Sequence, residues 1–174
     1  MRVLLVFVFL TLLLTTSNLK AEQDHKDSSL NSISDSIQRF YSLSKTENLK
    51  EYEELLLNKK ANSEEESLLV QYFIALINYR LGLLDYENGE TYFQKCLDTN
   101  NNILSKSAEY TEAHVLTAAC SNAMIRYQPE QTMALSLKSR NALDAATKID
   151  SQNPRLLFIK GTSAVYIPPQ FGGG

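Results

Sequence analysis

The residue types with the most reactive side chains are scarce in this chain: two cysteines, Cys96 and Cys120, and two histidines, His25 and His114. His114 and Cys120 are six residues apart on one predicted helix, where about 600° of rotation places them on different faces. A Cys–His nucleophilic pair is therefore not expected. No Cys or His pair has the spacing of a zinc site, so no metal is expected either. The two cysteines are far apart in sequence and are read as small, buried, free thiols, with a disulfide as the alternative should the chain be exported to an oxidising compartment. The carboxylates Glu64, Glu65 and Glu66 have the chemistry of an acid/base or metal cluster. Their place just after Ser63 instead puts them in the first turn of a helix, where negative charge meets the positive end of the dipole. Gly172–Gly174 follow no strand and precede no Lys-Ser or Lys-Thr, so they lack the context of a phosphate-binding loop. Without a catalytic constellation the reading is a noncatalytic protein with no cofactor.

These residues are carried by a chain of 174 residues, 44% hydrophobic, which can bury a core in one domain. The opening MRVLLVFVFLTLLLTTSNLKA has one basic residue, an apolar run from Val3 to Leu14 and a polar end at Ala21. That is the layout of a secretory signal, 1–21, and the run is too short to span a bilayer, which takes about 20 residues. Residues 22–29 read as a polar leader. Loss of Arg2 and Lys20 with the signal leaves 15 basic against 20 acidic residues, net −5. This balance disfavours nucleic acid and an anionic membrane surface as partners.

From residue 30 to 174 the periodicity is helical. Leu30, Ile33, Ile37 and Phe40 share one stripe, and Leu49, Tyr52, Leu55 and Leu56 another. SEEESLLVQYFIALINYRLG begins with a capping box, Ser63 and Glu66, and is apolar nearly all round, so a central helix stopping at Gly82 is expected. A partner helix carries Tyr92, Phe93, Cys96 and Leu97 and is expected to close at the loop Asn100–Asn102. A long helix over 105–127 follows, then one over 130–149 after Gln128-Pro129, and one opening at Asn153-Pro154. No strand pattern is present.

Helix pairs in series invite a repeat near 34 residues. In NALDAATKIDSQNPRLLFIKG, Leu143 and Ala146 precede Asn153-Pro154, with Leu157 and Gly161 beyond. This resembles the join between two tetratricopeptide repeats. Tyr79, Gly82, Phe93 and Cys96 resemble an irregular repeat of the same kind, and the tail YIPPQFGGG is similar to that of a group of exported bacterial tetratricopeptide proteins. A more distant likeness is to the periplasmic T component of TRAP-type transporters. The resemblance implies an all-α, right-handed α-solenoid of stacked helix hairpins, with small residues such as Gly161 at close helix contacts. A leucine at Gly161 is accordingly expected to overpack one of these.

First helices of such repeats line a concave surface, which implies an aromatic groove from Tyr72, Tyr79 and Tyr166, with Lys160 and Arg155 adding positive charge. The expected role is an exported, periplasmic scaffold holding a protein or peptide partner. A solute-binding accessory of a periplasmic transporter, taking a small solute, is the alternative. The apolar circumference of 156–167, followed by Pro168-Pro169 and the glycines, leads to the further expectation that the helical domain is incomplete at its C-terminus and continues into another helix.

Overall fold

A computed structural model describes the backbone of residues 32–166 and the side chains of 32–162. The signal-like segment, the leader and the glycine tail lie outside the described residues. The chain divides after Arg39 into two compact units, Met1–Arg39 and Phe40–Gly174. All regular elements among the described residues are helical: α1 (32–42), α2 (Thr46–Leu57), α3 (Glu64–Leu84), α4 (Gly89–Lys106), α5 (Thr111–Met124), a 3₁₀ turn (Pro129–Gln131), α6 (Thr132–Ile149) and α7 (Pro154–Tyr166). From α2 onward each helix packs on the next in sequence. In addition α3 touches α5, and α5 touches α7.

The ends of these helices follow from local chemistry. After α1 the N–H of Lys45 bonds the carbonyl of Phe40, and that of Ser44 bonds Tyr41, with Ser44 at φ 52°. This is a Schellman closure with serine in the left-handed position usually given to glycine. At α3 the Ser63 hydroxyl accepts from the N–H of Glu66 at 3.1 Å. The reciprocal half of the expected box is displaced by one residue, because Glu66 accepts from the N–H of Asn62 at 2.8 Å rather than from that of Ser63. Lys59 completes the arrangement at 3.0 Å. The Asn62 N–H, followed by Lys59, holds the Glu66 carboxyl down to about 2. A depressed carboxyl stabilises the fold above its ordinary value, and that contribution disappears as pH falls from about 4.5 towards 2. Glu66→Gln is accordingly expected to lower the urea midpoint at neutral pH and to converge with the parent near pH 2. A gap that persists at that pH would remove this carboxylate as its cause.

α3 is long and apolar enough to cross a membrane, yet half of its most apolar window is buried inside the protein. Its contacts with α2, α4 and α5 make it a core helix. Gly82 does not stop it. The helix continues to Leu84, and Asp85 caps it through an N–H bond to Leu81. Gly82 serves instead as a contact surface, since a Cβ there would come within 2.7 Å of the Phe93 ring on α4. Beyond that ring, Tyr127 approaches Gly89 so closely that a Cβ would strike its hydroxyl, and the hydroxyl donates to the carbonyl of Tyr86 at 3.0 Å. Tyr79, Phe93, Tyr127 and Tyr86 form a row with ring centres 6.1, 6.0 and 5.8 Å apart.

Two expectations about α4 and α5 are corrected. Asn100–Asn102 do not form a loop; α4 runs through them to Lys106, and the break comes at 107–110. Asparagine ends helices by bonding its own backbone, whereas here the amide of Asn100 donates to Cys96 Sγ and that of Asn102 to Gln71. Ile103, fully buried, draws the last turns inward. The second correction concerns the cysteines, which are not free thiols but a disulfide, Cys96–Cys120. α4 and α5 are packed neighbours that bring these Cα atoms to 6.6 Å, inside bridging range.

The Asn153-Pro154 opening of α7 stands. Asn153 Oδ1 accepts from the N–H groups of Arg155 and Leu156, both at 3.0 Å. Leu156 then enters a cluster with Val115 and Ala146, against which Leu143 and Ile159 pack. Gly161 is corrected: a Cβ there would meet nothing within 4 Å, so no close contact exists at that position. Gly161→Ala is therefore expected to raise stability by roughly 0.5–1 kcal/mol through helix propensity alone. A lowered denaturation midpoint would reveal a contact there.

Candidate functional site

Polar and aromatic side chains from α3, α5 and α7 converge at one place among the described residues. α3 contributes Tyr72, held by a helix that is buried on several sides and itself 3% exposed. Tyr110 precedes α5 and stacks obliquely on Tyr72, ring centres 6.1 Å apart. Glu112, in the first turn of α5, accepts through Oε1 from Asn153 Nδ2 at 3.0 Å and pairs with the Arg155 guanidinium at 3.0 Å. That guanidinium lies 6.0 Å from the centre of the Tyr72 ring. Oε2 of Glu112 is buried with no protein partner. Asn153 thus both caps α7 and ties it to α5, while Arg155, half-exposed, is the charged group of the cluster that reaches solvent.

Burial, with Glu112 next in effect, pushes the Tyr110 phenol up to about 12. Burial raises Tyr72 as well. The neutral phenol is the form favoured by folding, so this stabilisation is complete below the ordinary value of 10.0 and is lost as pH rises from there towards 12. Ultraviolet titration of the folded protein should show a tyrosine ionising near 12 that Tyr110→Phe removes. Complete tyrosine ionisation close to 10 would show this pocket to be wetter than its packing implies.

The residues singled out from sequence are dispersed. Tyr72 and Tyr79 occupy one helix, but Tyr79 belongs to the other aromatic row, with Phe93 on one side and the Arg80 guanidinium 5.6 Å away. Arg80 also lies 4.2 Å over Tyr41. The Lys160 ammonium donates to Thr147 Oγ1 at 3.3 Å on α6. Tyr166 is in the last described turn of α7, and its side chain lies outside the described residues. With Tyr72 at 3% exposure, its ring contributes packing rather than ligand contact in this conformation. Tyr110 and Glu112 were not singled out from the sequence, because a single helix over 105–127 hid the break that puts them at a helix start. Lone aromatic and acidic residues on a polar segment carry no other signal.

Other candidate chemistry finds no support. Cys120 is in the disulfide, and His114 bonds the Ala108 carbonyl at 2.8 Å through Nε2. Among the described residues no group of three or more His, Cys, Asp or Glu is placed to hold a metal. A shallow depression of about 340 Å³ on α4 is lined by Glu90, Thr91, Gln94, Lys95, Asp98 and Gln128. Its polar groups bond one another, Gln94 to Asp98 and Gln128 to Glu90, and it lacks the apolar walls of a small-molecule site. No protein-family model matches this chain, and no curated protein or solved structure shows detectable similarity to it.

Proposed function

We propose that this protein is an exported, noncatalytic scaffold of the tetratricopeptide type, presenting the face formed by α3, α5 and α7 to a protein or peptide. The observation that carries this reading is the direct contact of alternate helices, α3 with α5 and α5 with α7. In a stack of hairpins those are the successive first helices, the ones that share a binding face. Tyr110, Glu112 and Arg155 occupy that face and supply an aromatic ring, a carboxylate and a partly exposed guanidinium. Such groups suit the adaptable recognition of an extended or helical peptide. Export is supported by the signal-like opening together with a disulfide in the core, a bond that persists in oxidising compartments.

The test is site-specific photocrosslinking in the native envelope. A photoreactive residue replacing Tyr110 should capture a defined partner, and one replacing Arg140, exposed on α6, should not. Equal labelling from both positions, or none from Tyr110, would defeat the assignment of this face.

A further inference from the structure

The turn between α3 and α4 holds the chain's one Asn-Gly pair, Asn88-Gly89. Packing makes this glycine obligatory. A Cβ on Gly89 would strike the Tyr127 hydroxyl and lie 2.7 Å from Tyr127 Cζ and 3.1 Å from the Gly82 carbonyl oxygen. The first residue of α4 is thus pressed between α3 and Tyr127, whose hydroxyl in turn donates to the Tyr86 carbonyl. The missing side chain has a chemical consequence. It leaves the Gly89 nitrogen unshielded, and as the first helical residue Gly89 has no carbonyl within α4 to bond. Attack by that nitrogen on Asn88 Cγ closes a five-membered ring.

Asn88 is exposed and does not use its side chain to cap α4. Its Nδ2 donates instead to Asp85, at 3.2 Å to Oδ1 and 3.0 Å to Oδ2, and its backbone N–H donates to Oδ1 at 3.2 Å. Asp85 is itself fixed as the cap of α3, through its N–H to Leu81. With ψ at 7°, the Gly89 nitrogen eclipses the Asn88 nitrogen rather than Cβ. Ring closure requires that peptide to turn and the carboxamide to leave Asp85. The fold therefore restrains a reaction to which the sequence is prone.

We propose that Asn88 is a site of spontaneous deamidation, restrained in the folded protein by Asp85 and, once modified, a lesion that loosens the α3–α4 junction. The Gly89 nitrogen, losing its proton, bonds to Asn88 Cγ; the Cγ–Nδ2 bond breaks and Nδ2 departs with that proton as ammonia. Water then opens the cyclic imide. Cleavage at Cγ leaves aspartate, whereas cleavage at the main-chain carbonyl leaves isoaspartate, with the chain running through Cβ and Cγ. Either product places a carboxylate where a donor met Asp85, so an attraction becomes a like-charge contact. Aspartate regains part of this at the positive end of α4. Isoaspartate also adds one carbon to the backbone beside the tight contact of Gly89 with Tyr127 and Gly82, so it is the more disruptive product. The aromatic row from Tyr79 to Tyr86 passes through that contact. None of this depends on the function proposed for the α3–α5–α7 face.

Peptide mass spectrometry with enzymatic labelling of isoaspartate tests it, on the full chain held at mildly alkaline pH, folded or unfolded in guanidinium with the disulfide intact. Unfolded, Asn88 should gain the acid mass before Asn62, which precedes Ser63 in the exposed α2–α3 loop. Folded, it should react more slowly. Asp85→Ala should speed the folded reaction about tenfold, the equivalent of one hydrogen bond to a charged group, and leave the unfolded rate unchanged. The backbone N–H of residue 85 still caps α3 in this variant, so circular dichroism should show it folded. Asp85→Asn, which keeps the size and an acceptor oxygen, should fall between, and it carries the comparison if alanine impairs folding. Folded protein aged to contain isoaspartate should unfold at lower denaturant than Asn88→Asp. A folded Asn88 that reacts at one rate with and without Asp85, or an unfolded chain in which Asn62 reacts first, overturns the proposal. So does an isoaspartate form as stable as the parent.

Discussion

Gly82→Ala is expected to destabilise the fold by roughly 1–3 kcal/mol, although the same change at Gly161 is expected to stabilise it. Both glycines are interior to helices, so both substitutions gain the same propensity, up to about 1 kcal/mol. The sign is decided by what the new methyl meets. At Gly161 it meets nothing within 4 Å; at Gly82 it lies 2.7 Å from Cε1 and 2.8 Å from Cζ of Phe93. A ring at a surface would swing away. Phe93 is 2% exposed and stacked between Tyr79 and Tyr127, so moving it disturbs the whole aromatic row joining α3, α4 and the segment after α5. The diagnostic experiment is a double-mutant cycle in urea. Phe93→Leu alone should cost stability by opening a void, and in that background Gly82→Ala should cost little or become favourable. Additive losses would mean that the ring is not what Gly82 makes room for.

The same two glycines show what the sequence could convey. A glycine near the end of an apolar run has two meanings, a helix stop or a close packing contact, and local pattern does not distinguish them. The pattern reads Gly82 as a stop and Gly161 as a contact, whereas Gly82 makes the contact and Gly161 is open. Helix existence was legible, because buried faces impose their period on the chain: Leu49 and Leu56, the all-round apolar α3, and the Asn153-Pro154 start all lie where the pattern puts them. The break at 107–110 was not legible, because the asparagines before it find side-chain partners only in the tertiary structure. The candidate site fared similarly. Tyr72 and Arg155 were visible as residue types with potential, but their convergence with Tyr110 and Glu112 depends on α3, α5 and α7 meeting, which no local spacing encodes.

Removing the disulfide should have the other large effect. Cys96 and Cys120 lie 24 residues apart, and for a loop of about 25 residues chain-entropy arguments give about 3.5 kcal/mol. At roughly 2–4 °C per kcal/mol for a chain of this size, the Cys96→Ala/Cys120→Ala protein should melt about 10 °C lower. The loop contains the second half of α4 and the first two-thirds of α5, so the bond holds together the two helices on which the α3–α5–α7 face depends. Both sulfurs are fully buried, so dithiothreitol should act slowly on the native protein and quickly once it is unfolded. Refolding should therefore be more complete under oxidising than reducing conditions. Protein unfolded without reductant should show no reactive thiol, in contrast to the two that sequence alone leads one to expect. Two thiols in that assay, or equal melting of parent and double variant, would remove the bond from the native state and with it one argument for the proposed export.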